Sequence, residues 1–259
     1  TTSIHRATFS SKGPSELGVI KPEIVAPGTS IASARSDPNG VPGHADIIIY
    51  DGTSASAPNA AGAATLVAQY FTDKKYRSSL SVKPSSSLLR SFLINAADPL
   101  DSAKPYPNAD VGFGALNLGE YVLTSVSSSG NDEHVLVGDR IEILGDQHLV
   151  AEVDIKDNSR DLRITMSYLD EFFNDDSSVA LGIDLDLVVI SPDKTVYRGN
   201  QRVDNTEEMF STNERVIIKK EELKPGKYEI HVISHIPEIV TEKSVMFSVT
   251  VFGPISDTA

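Results

Sequence analysis

Residues 50–62 read YDGTSASAPNAAG and decide the fold of the first half of the chain. Small residues around Ser54 predict a turn, and an apolar run that ends at Phe71 follows it. Pro58 suits the first turn of a helix, where its missing N–H costs nothing. The pattern therefore predicts a helix that is buried on nearly all sides, with Ser54 at its positively polarised end. A serine in that position is either an activated nucleophile or an ordinary capping residue.

The flanking segments predict an α/β domain over residues 1–126. The run from Ile47 to Tyr50 predicts a strand that leads into the serine turn, and residues 83–95 predict a second helix with one apolar face. Upstream, Ile24 to Ala26 is a continuous apolar run that ends at Pro27-Gly28. Such a run is typical of an inner strand of a mostly parallel sheet.

A different pattern begins after Ser125–Gly130, a Ser/Gly-rich stretch that predicts a linker. Helical periodicity disappears, and short β-rich runs alternate with turn signals such as Lys224-Pro225-Gly226. Residues 131–259 are therefore predicted to form an antiparallel sandwich or jelly roll. The predicted strands are His134–Val137, His148–Val153, Leu162–Tyr168, Leu185–Ile190, Val216–Ile218, Tyr228–Ile233 and Val245–Val251.

Three blocks of the first half resemble motifs of the subtilisin-like serine proteases, the subtilases, and they occur in that family's order. The stretch GTSASAP at Gly52–Pro58 resembles the nucleophile motif, and FSSKGP at Phe9–Pro14 and KPEIVAPG at Lys21–Gly28 resemble two blocks that precede it. The stretch GFGALN at Gly112–Asn117 resembles the block that closes many catalytic domains of the family. The resemblance covers residues 7–122.

This resemblance implies a serine endopeptidase that acts on polypeptides through an acyl-enzyme on Ser54. Ala55 and Asn59 stand where many members of the family have Met and His. Neither position performs the chemistry in the family, so these departures leave the assignment of Ser54 intact.

The rest of the catalytic machinery is expected to come from elsewhere. In this family an Asp, a His and an oxyanion-binding Asn precede the Phe9 block, but only eight residues precede it here. His5 lies near the expected strand but not in the family's histidine motif, and the other five histidines match that motif no better. We therefore expect an N-terminal part of the same protease to supply these groups. The alternative is a catalytically inactive subtilisin-like module that serves in binding or structure, and the sequence upstream of Thr1 discriminates between the two.

The second half resembles the C-terminal β-barrel of long subtilases, best over DLDLVVISP at Asp184–Pro192. Asp184 and Asp186 alternate by two, so they share one face of a strand and repel each other unless a cation or a donor lies between them. Calcium takes six to eight hard oxygen ligands and suits such a pair. The resemblance also implies calcium, because barrels of this family often bind it. Further ligands would be Asn200, Asp170 and Asp204. The alternative is a solvated acidic strand rim.

Composition excludes several classes of protein. The net charge of −13 argues against binding to nucleic acid or to anionic membrane surfaces, because phosphates are bound by basic faces. No apolar stretch reaches the length that a bilayer span needs. There is no cysteine, so neither a disulfide nor a thiolate metal site can form. A secreted or lumenal location is implied by the resemblance alone.

Overall fold

The computed structural model describes residues 4–36, 46–73, 76, 83–100, 106–119, 134–170, 183–200, 210–235 and 244–256. The predicted linker at Ser125–Gly130 and the predicted domain boundary lie outside these residues, as do His44 and Asp204.

Among the described residues, the first half contains two helices and two short antiparallel pairs of strands. Its elements are β1 (Ile31–Ala34), β2 (Ile47–Tyr50), α1 (Thr53–Thr72), α2 (Ser86–Asn95), β3 (Ala97–Asp98) and β4 (Ala115–Leu116). Strand β1 pairs with β2, and β3 pairs with β4. The predicted strand at Ile24–Ala26 forms a single parallel bridge, from Val25 to Ala115. The described residues therefore contain only this fragment of the predicted parallel sheet.

Helix α1 follows β2 directly, which confirms the predicted strand, turn and helix around Ser54. The helix starts earlier than Pro58 suggests, because it begins at Thr53 and holds Pro58 inside. Because Pro58 has no N–H, it cannot donate the helical hydrogen bond to the carbonyl of Ser54, four residues earlier. The prediction of a helix buried on nearly all sides is wrong for the described chain. Only the side chains of Ala55, Val67, Tyr70 and Phe71 are buried, and Leu66 is 53% exposed.

Helix α2 begins where the sequence predicts. Ser85 caps it, since its Oγ accepts a hydrogen bond from the backbone N–H of Leu88 at 3.0 Å. Leu88 and Phe92, which define the predicted apolar face, are fully buried. They join the end of α1 in one cluster with residues of the second half, Val135 and Phe252.

The second half is a pair of four-stranded antiparallel sheets that share one core. One sheet has the strand order β10-β7-β12-β5 and the other β6-β11-β8-β9. The strands are β5 (Val135–Leu144), β6 (His148–Ile155), β7 (Leu162–Tyr168), β8 (Asp184–Ile190), β9 (Val196–Arg198), β10 (Asn213–Ile218), β11 (Gly226–His235) and β12 (Ser244–Phe252). Every predicted strand is present, and β9 is additional. Alternate residues from both sheets fill the shared core, as the period of two requires.

Helix α2 packs on the outer face of the first of these sheets, and polar side chains form much of the contact. Ser91 Oγ lies 2.7 Å from Thr250 Oγ1, and Ser87 Oγ lies 2.8 Å from Ser248 Oγ. The Asn95 amide donates to the carbonyl of Thr250 at 3.1 Å. All of these groups are buried, so each needs its partner. The two halves of the chain are therefore joined by a hydrogen-bonded interface.

Candidate active site

Ser54 is the second residue of α1 and lies in its first turn, with its side chain exposed. Gly52 caps the helix at φ 159° and ψ 157°, and its carbonyl accepts from the N–H of Ala55 at 3.0 Å and of Ser56 at 3.3 Å. The first N–H groups of a helix have no acceptor within the helix, and the helix dipole is positive there. An accessible hydroxyl in this position can attack a carbonyl carbon. The negative charge that then develops is stabilised by the positively polarised start of the helix.

Three contacts fasten this turn to the segment 26–28. The N–H of Gly52 donates to the carbonyl of Gly28 at 2.8 Å, and Asn59 Nδ2 donates to the carbonyl of Pro27 at 2.8 Å. Ser56 Oγ donates to the carbonyl of Ala26. The sequence motif marks these residues but does not show that Ser56 and Asn59 act as anchors, because that depends on where segment 26–28 lies.

Gly28 is required by the close approach of this segment to the serine turn. A Cβ at Gly28 would lie 2.8 Å from the carbonyl oxygen of Gly52 and 3.1 Å from Ser56 Cβ. Backbone atoms cannot move aside as the end of a flexible side chain can. Any larger residue would therefore displace the turn that carries Ser54.

A cavity of about 410 Å³ lies beside the serine turn. Gly52 and Thr53 line it, together with segment 25–29 and with residues 4–7, which include His5. Ser54 does not belong to this lining. The structure thus places His5 in the wall of this cavity, on the same side of the molecule as the serine turn.

Comparison with known proteins identifies this part of the chain. Residues 1–114 match the family model of the Subtilase family, Peptidase_S8. This segment, residues 1–114, is therefore similar to the subtilases, and we call it the subtilase segment. The match contains all three blocks that surround and precede Ser54.

Proteins similar to this chain occur in Dictyostelium discoideum, Bacillus subtilis and Arabidopsis thaliana. The serine protease/ABC transporter B family protein tagA of Dictyostelium discoideum is 27% identical over 249 residues, which is 86% of this chain and 14% of the relative. Bacillopeptidase F of Bacillus subtilis is 36% identical over 129 residues, 49% of this chain and 8% of the relative. The subtilisin-like protease SBT1.6 of Arabidopsis thaliana is 31% identical over 134 residues, 44% of this chain and 16% of the relative.

The chain thus spans at most 16% of the length of these three relatives. Among solved structures, a Bacillus licheniformis lipase aligns with 46% of this chain and 22% of its own, at 10% identity and a TM-score of 0.28.

The acidic residues singled out beyond the subtilase segment lie on strand β8. Asp184 is exposed and Asp186 is half-buried. Partial burial, and then the neighbouring charge of Asp186, raise the pKa of Asp184, while His235 opposes the shift. His235 Nε2 lies 2.9 Å from Asp186 Oδ2. The sequence reasoning missed His235, which the pairing of β11 with β8 brings beside this pair.

Asn200 is not turned towards the pair. Its Oδ1 accepts from the N–H of Arg215 at 3.1 Å, and its Nδ2 donates to the carbonyl of Asn213 at 2.8 Å. The amide therefore bonds to the backbone of β10. Across the residues that the structure describes, no group of three or more histidine or carboxylate side chains is arranged to hold a metal ion.

Glu214 is a further carboxylate that the sequence did not single out. Its Oε2 accepts from the N–H of Leu187 at 2.6 Å and so links β10 to β8. Burial raises its pKa to about 8; the Leu187 hydrogen bond opposes the shift, and Asp186 and Asp184 add to it. Only the folded pairing of the sheets reveals this environment.

No helix within the described ranges has the length and apolar character needed to cross a bilayer.

Proposed function

We propose that this chain is the nucleophile-bearing part of a serine endopeptidase. Ser54 Oγ attacks the carbonyl carbon of a peptide bond, the amine leaves, and water hydrolyses the resulting acyl-enzyme. The observation that carries the proposal is the position of Ser54, exposed in the first turn of α1 within a segment that matches the subtilase family model.

The proposal includes the groups that this chain does not supply. A catalytic serine needs a base to take its proton, a carboxylate to orient that base, and a donor for the oxyanion. We propose that an N-terminal segment of the same protease provides the Asp, the His and the oxyanion Asn. Exposed apolar surface on α1 supports this proposal. Leu66, for example, is 53% exposed, and such a segment can cover it.

The test is peptide hydrolysis by the full-length protein. Ser54→Ala is expected to lower kcat by roughly 10³–10⁶-fold, because the catalytic groups act as a unit. Ser85→Ala is the matched control, since Ser85 is also at a helix N-terminus but serves as a cap. It is expected to cost at least about 1 kcal/mol of stability, because Ser85 Oγ also donates to Asp139, and to leave kcat unchanged. An inactive wild-type protein would favour the binding or structural module, and full activity in Ser54→Ala would exclude Ser54 as the nucleophile.

A structural calcium ion at Asp184 and Asp186 is proposed as an accessory feature. Desolvation is the main cause of the raised pKa of Asp184, and the charge of Asp186 adds to it; a divalent cation would relieve this repulsion, and carboxylates are the ligands calcium prefers. Asn200 is left out of this proposal, because both ends of its amide bond to β10. The jelly-roll connectivity of the second half and secretion of the protein remain predictions from the resemblance.

A further inference from the structure

The most elaborate contact between the β-sandwich and the subtilase segment is made by Arg215. This residue lies on β10, on the outer face of its sheet, and is 6% exposed. Its Nη1 donates to the carbonyls of Ile94 at 2.8 Å and Ala97 at 3.0 Å. Its Nη2 donates to the carbonyl of Phe113 at 2.7 Å, and Cζ lies 5.2 Å from the centre of the Phe113 ring.

These acceptors belong to two separate segments. Ile94 lies in the last turn of α2 and Ala97 follows the C-cap of this helix, where a cation is favoured by the helix dipole. Phe113 belongs to segment 106–119, which leads into β4. A planar guanidinium can donate to both segments at once, because its N–H groups point in several fixed directions. A lysine ammonium carries the same charge but cannot reproduce this fork.

The Phe113 segment in turn supports the strand that holds the serine turn. The N–H of Phe113 donates to the carbonyl of Glu23 at 2.7 Å, and the N–H of Val25 donates to the carbonyl of Gly114 at 2.9 Å. The N–H of Leu116 donates back to the carbonyl of Val25 at 2.9 Å. Segment 26–28, which follows directly, accepts the three hydrogen bonds that fasten the start of α1.

We propose that Arg215 is a positioning residue for Ser54. It fixes Phe113 and Gly114 against the sandwich; these fix Val25, and the residues after Val25 fix the turn that carries the serine. The β-sandwich is thereby part of the support of the active site. The effect on catalysis rests on the proposed function, whereas the structural link from Arg215 to the serine turn does not.

The first experiment measures amide hydrogen exchange of residues 52–59 in the full-length protein. The variants are Arg215→Met, Arg215→Lys and, as a control, Thr250→Val. Thr250 is buried in the same interface, and its hydroxyl bonds to Ser91 in the middle of α2. Its backbone carbonyl, which accepts from Asn95, is retained in Thr250→Val. We expect exchange of the Gly52 amide to accelerate about tenfold in Arg215→Met, less in Arg215→Lys, and not in Thr250→Val.

The second experiment measures steady-state peptide hydrolysis by the same proteins. Misplacement of the serine turn should lower kcat by roughly tenfold to a hundredfold in Arg215→Met, with little change in KM, and Arg215→Lys should recover part of the loss. Thr250→Val should keep the wild-type kcat even where its melting temperature falls.

The outcomes separate this inference from the proposed function. Accelerated exchange in Arg215→Met together with an inactive wild type would uphold the structural link and contradict the protease proposal. An active wild type with unchanged exchange and unchanged kcat in Arg215→Met would overturn the role of Arg215 and leave the protease proposal standing. Equal effects in Arg215→Met and Thr250→Val would also overturn it, because the loss would then reflect the interface as a whole.

Discussion

Glu214 lies beside the β8 backbone, and its charge state depends on that position. The carboxyl is desolvated, and its pKa of about 8 means that it carries a proton at neutral pH. The hydrogen bond from Leu187 N–H partly offsets the burial without restoring ionisation. The residue therefore links pH to the stability of the sandwich.

We predict that stability falls as pH rises from about 4.5 to 8. In the unfolded chain Glu214 releases its proton near its ordinary pKa of 4.5, while the folded chain holds that proton up to about 8. Between these values the unfolded state binds fewer protons, so the contribution declines by up to about 1.4 kcal/mol per pH unit and levels off above 8. Urea unfolding of residues 83–259 in chelator, from pH 5 to 9, measures this slope.

Glu214→Gln should flatten that slope, because glutamine can accept from Leu187 and does not titrate. Glu152→Gln is the control, since Glu152 is exposed and pairs with Lys227 at 2.8 Å. Parallel curves for wild type and Glu214→Gln would show that Glu214 does not titrate in this range.

The second prediction at the residue scale concerns calcium bound by Asp184 and Asp186. At a hundredfold excess over its dissociation constant, the ion should stabilise the sandwich by about 2.7 kcal/mol relative to chelator. Asp186→Asn should remove most of this gain, because affinity follows ligand charge. Asp193→Asn is the control, since Asp193 pairs with Lys224 in the turn after β8. Calorimetry of residues 83–259 decides it, and identical melting curves with calcium and chelator would leave an ordinary acidic face.

At the scale of elements, α2 belongs energetically to the sandwich. Its removal would expose Phe252 and leave Thr165, Ser248 and Thr250, all fully buried, without the helix that covers them. Water would then solvate these hydroxyls, so the loss comes from the apolar surface that the helix covers, at about 25 cal/mol for each Å² exposed. The predicted linker is therefore a poor place to divide the chain.

We predict that residues 83–259 unfold cooperatively at a higher temperature than residues 130–259. Removing the helix should lower the free energy of unfolding by several kcal/mol and increase the binding of a dye that reports exposed apolar surface. Thermal unfolding of the two fragments makes the comparison. Equal melting temperatures would mean that the helix contact is not stabilising.

Much of the element pattern follows from sequence. The strands of the sandwich alternate with a period of two, and Ser85 precedes a helix with one apolar face, so local rules place both. The exposure of α1 and the role of Arg215 do not follow, because each depends on segments that are distant along the chain. The apolar run after Ser54 is buried only if another segment packs on helix α1. Within the described residues, only Ala55 and residues in the last turns of this helix are buried. The burial of Glu214 does not follow from the sequence for the same reason, because a single glutamate in a strand does not indicate which segment packs against it.

At the scale of the whole molecule, the subtilase segment leaves apolar surface uncovered. Ile4, Ile47 and Ile49 are 68%, 71% and 63% exposed, and Leu66 joins them on α1. Exposed apolar groups of this size mark an interaction surface or an aggregation risk. An N-terminal protease segment is the partner that the proposed function requires.

We therefore predict that residues 1–259 expressed alone hydrolyse no peptide and are poorly soluble. Coexpression with the preceding part of the same protein should restore both solubility and activity. Size-exclusion chromatography with a peptidase assay on each preparation tests this. Monodisperse, proteolytically active material from residues 1–259 alone would contradict the proposed division of the catalytic groups.

The most direct measurement of the central claim is the site of covalent labelling by a fluorophosphonate probe. Such a probe reacts with a serine that is activated as a nucleophile, so the full-length protein should be labelled once, on the peptide that contains Ser54. Tandem mass spectrometry locates the adduct, and Ser54→Ala should abolish it while Ser85→Ala should not. An adduct on another serine, or labelling that survives in Ser54→Ala, would contradict the account.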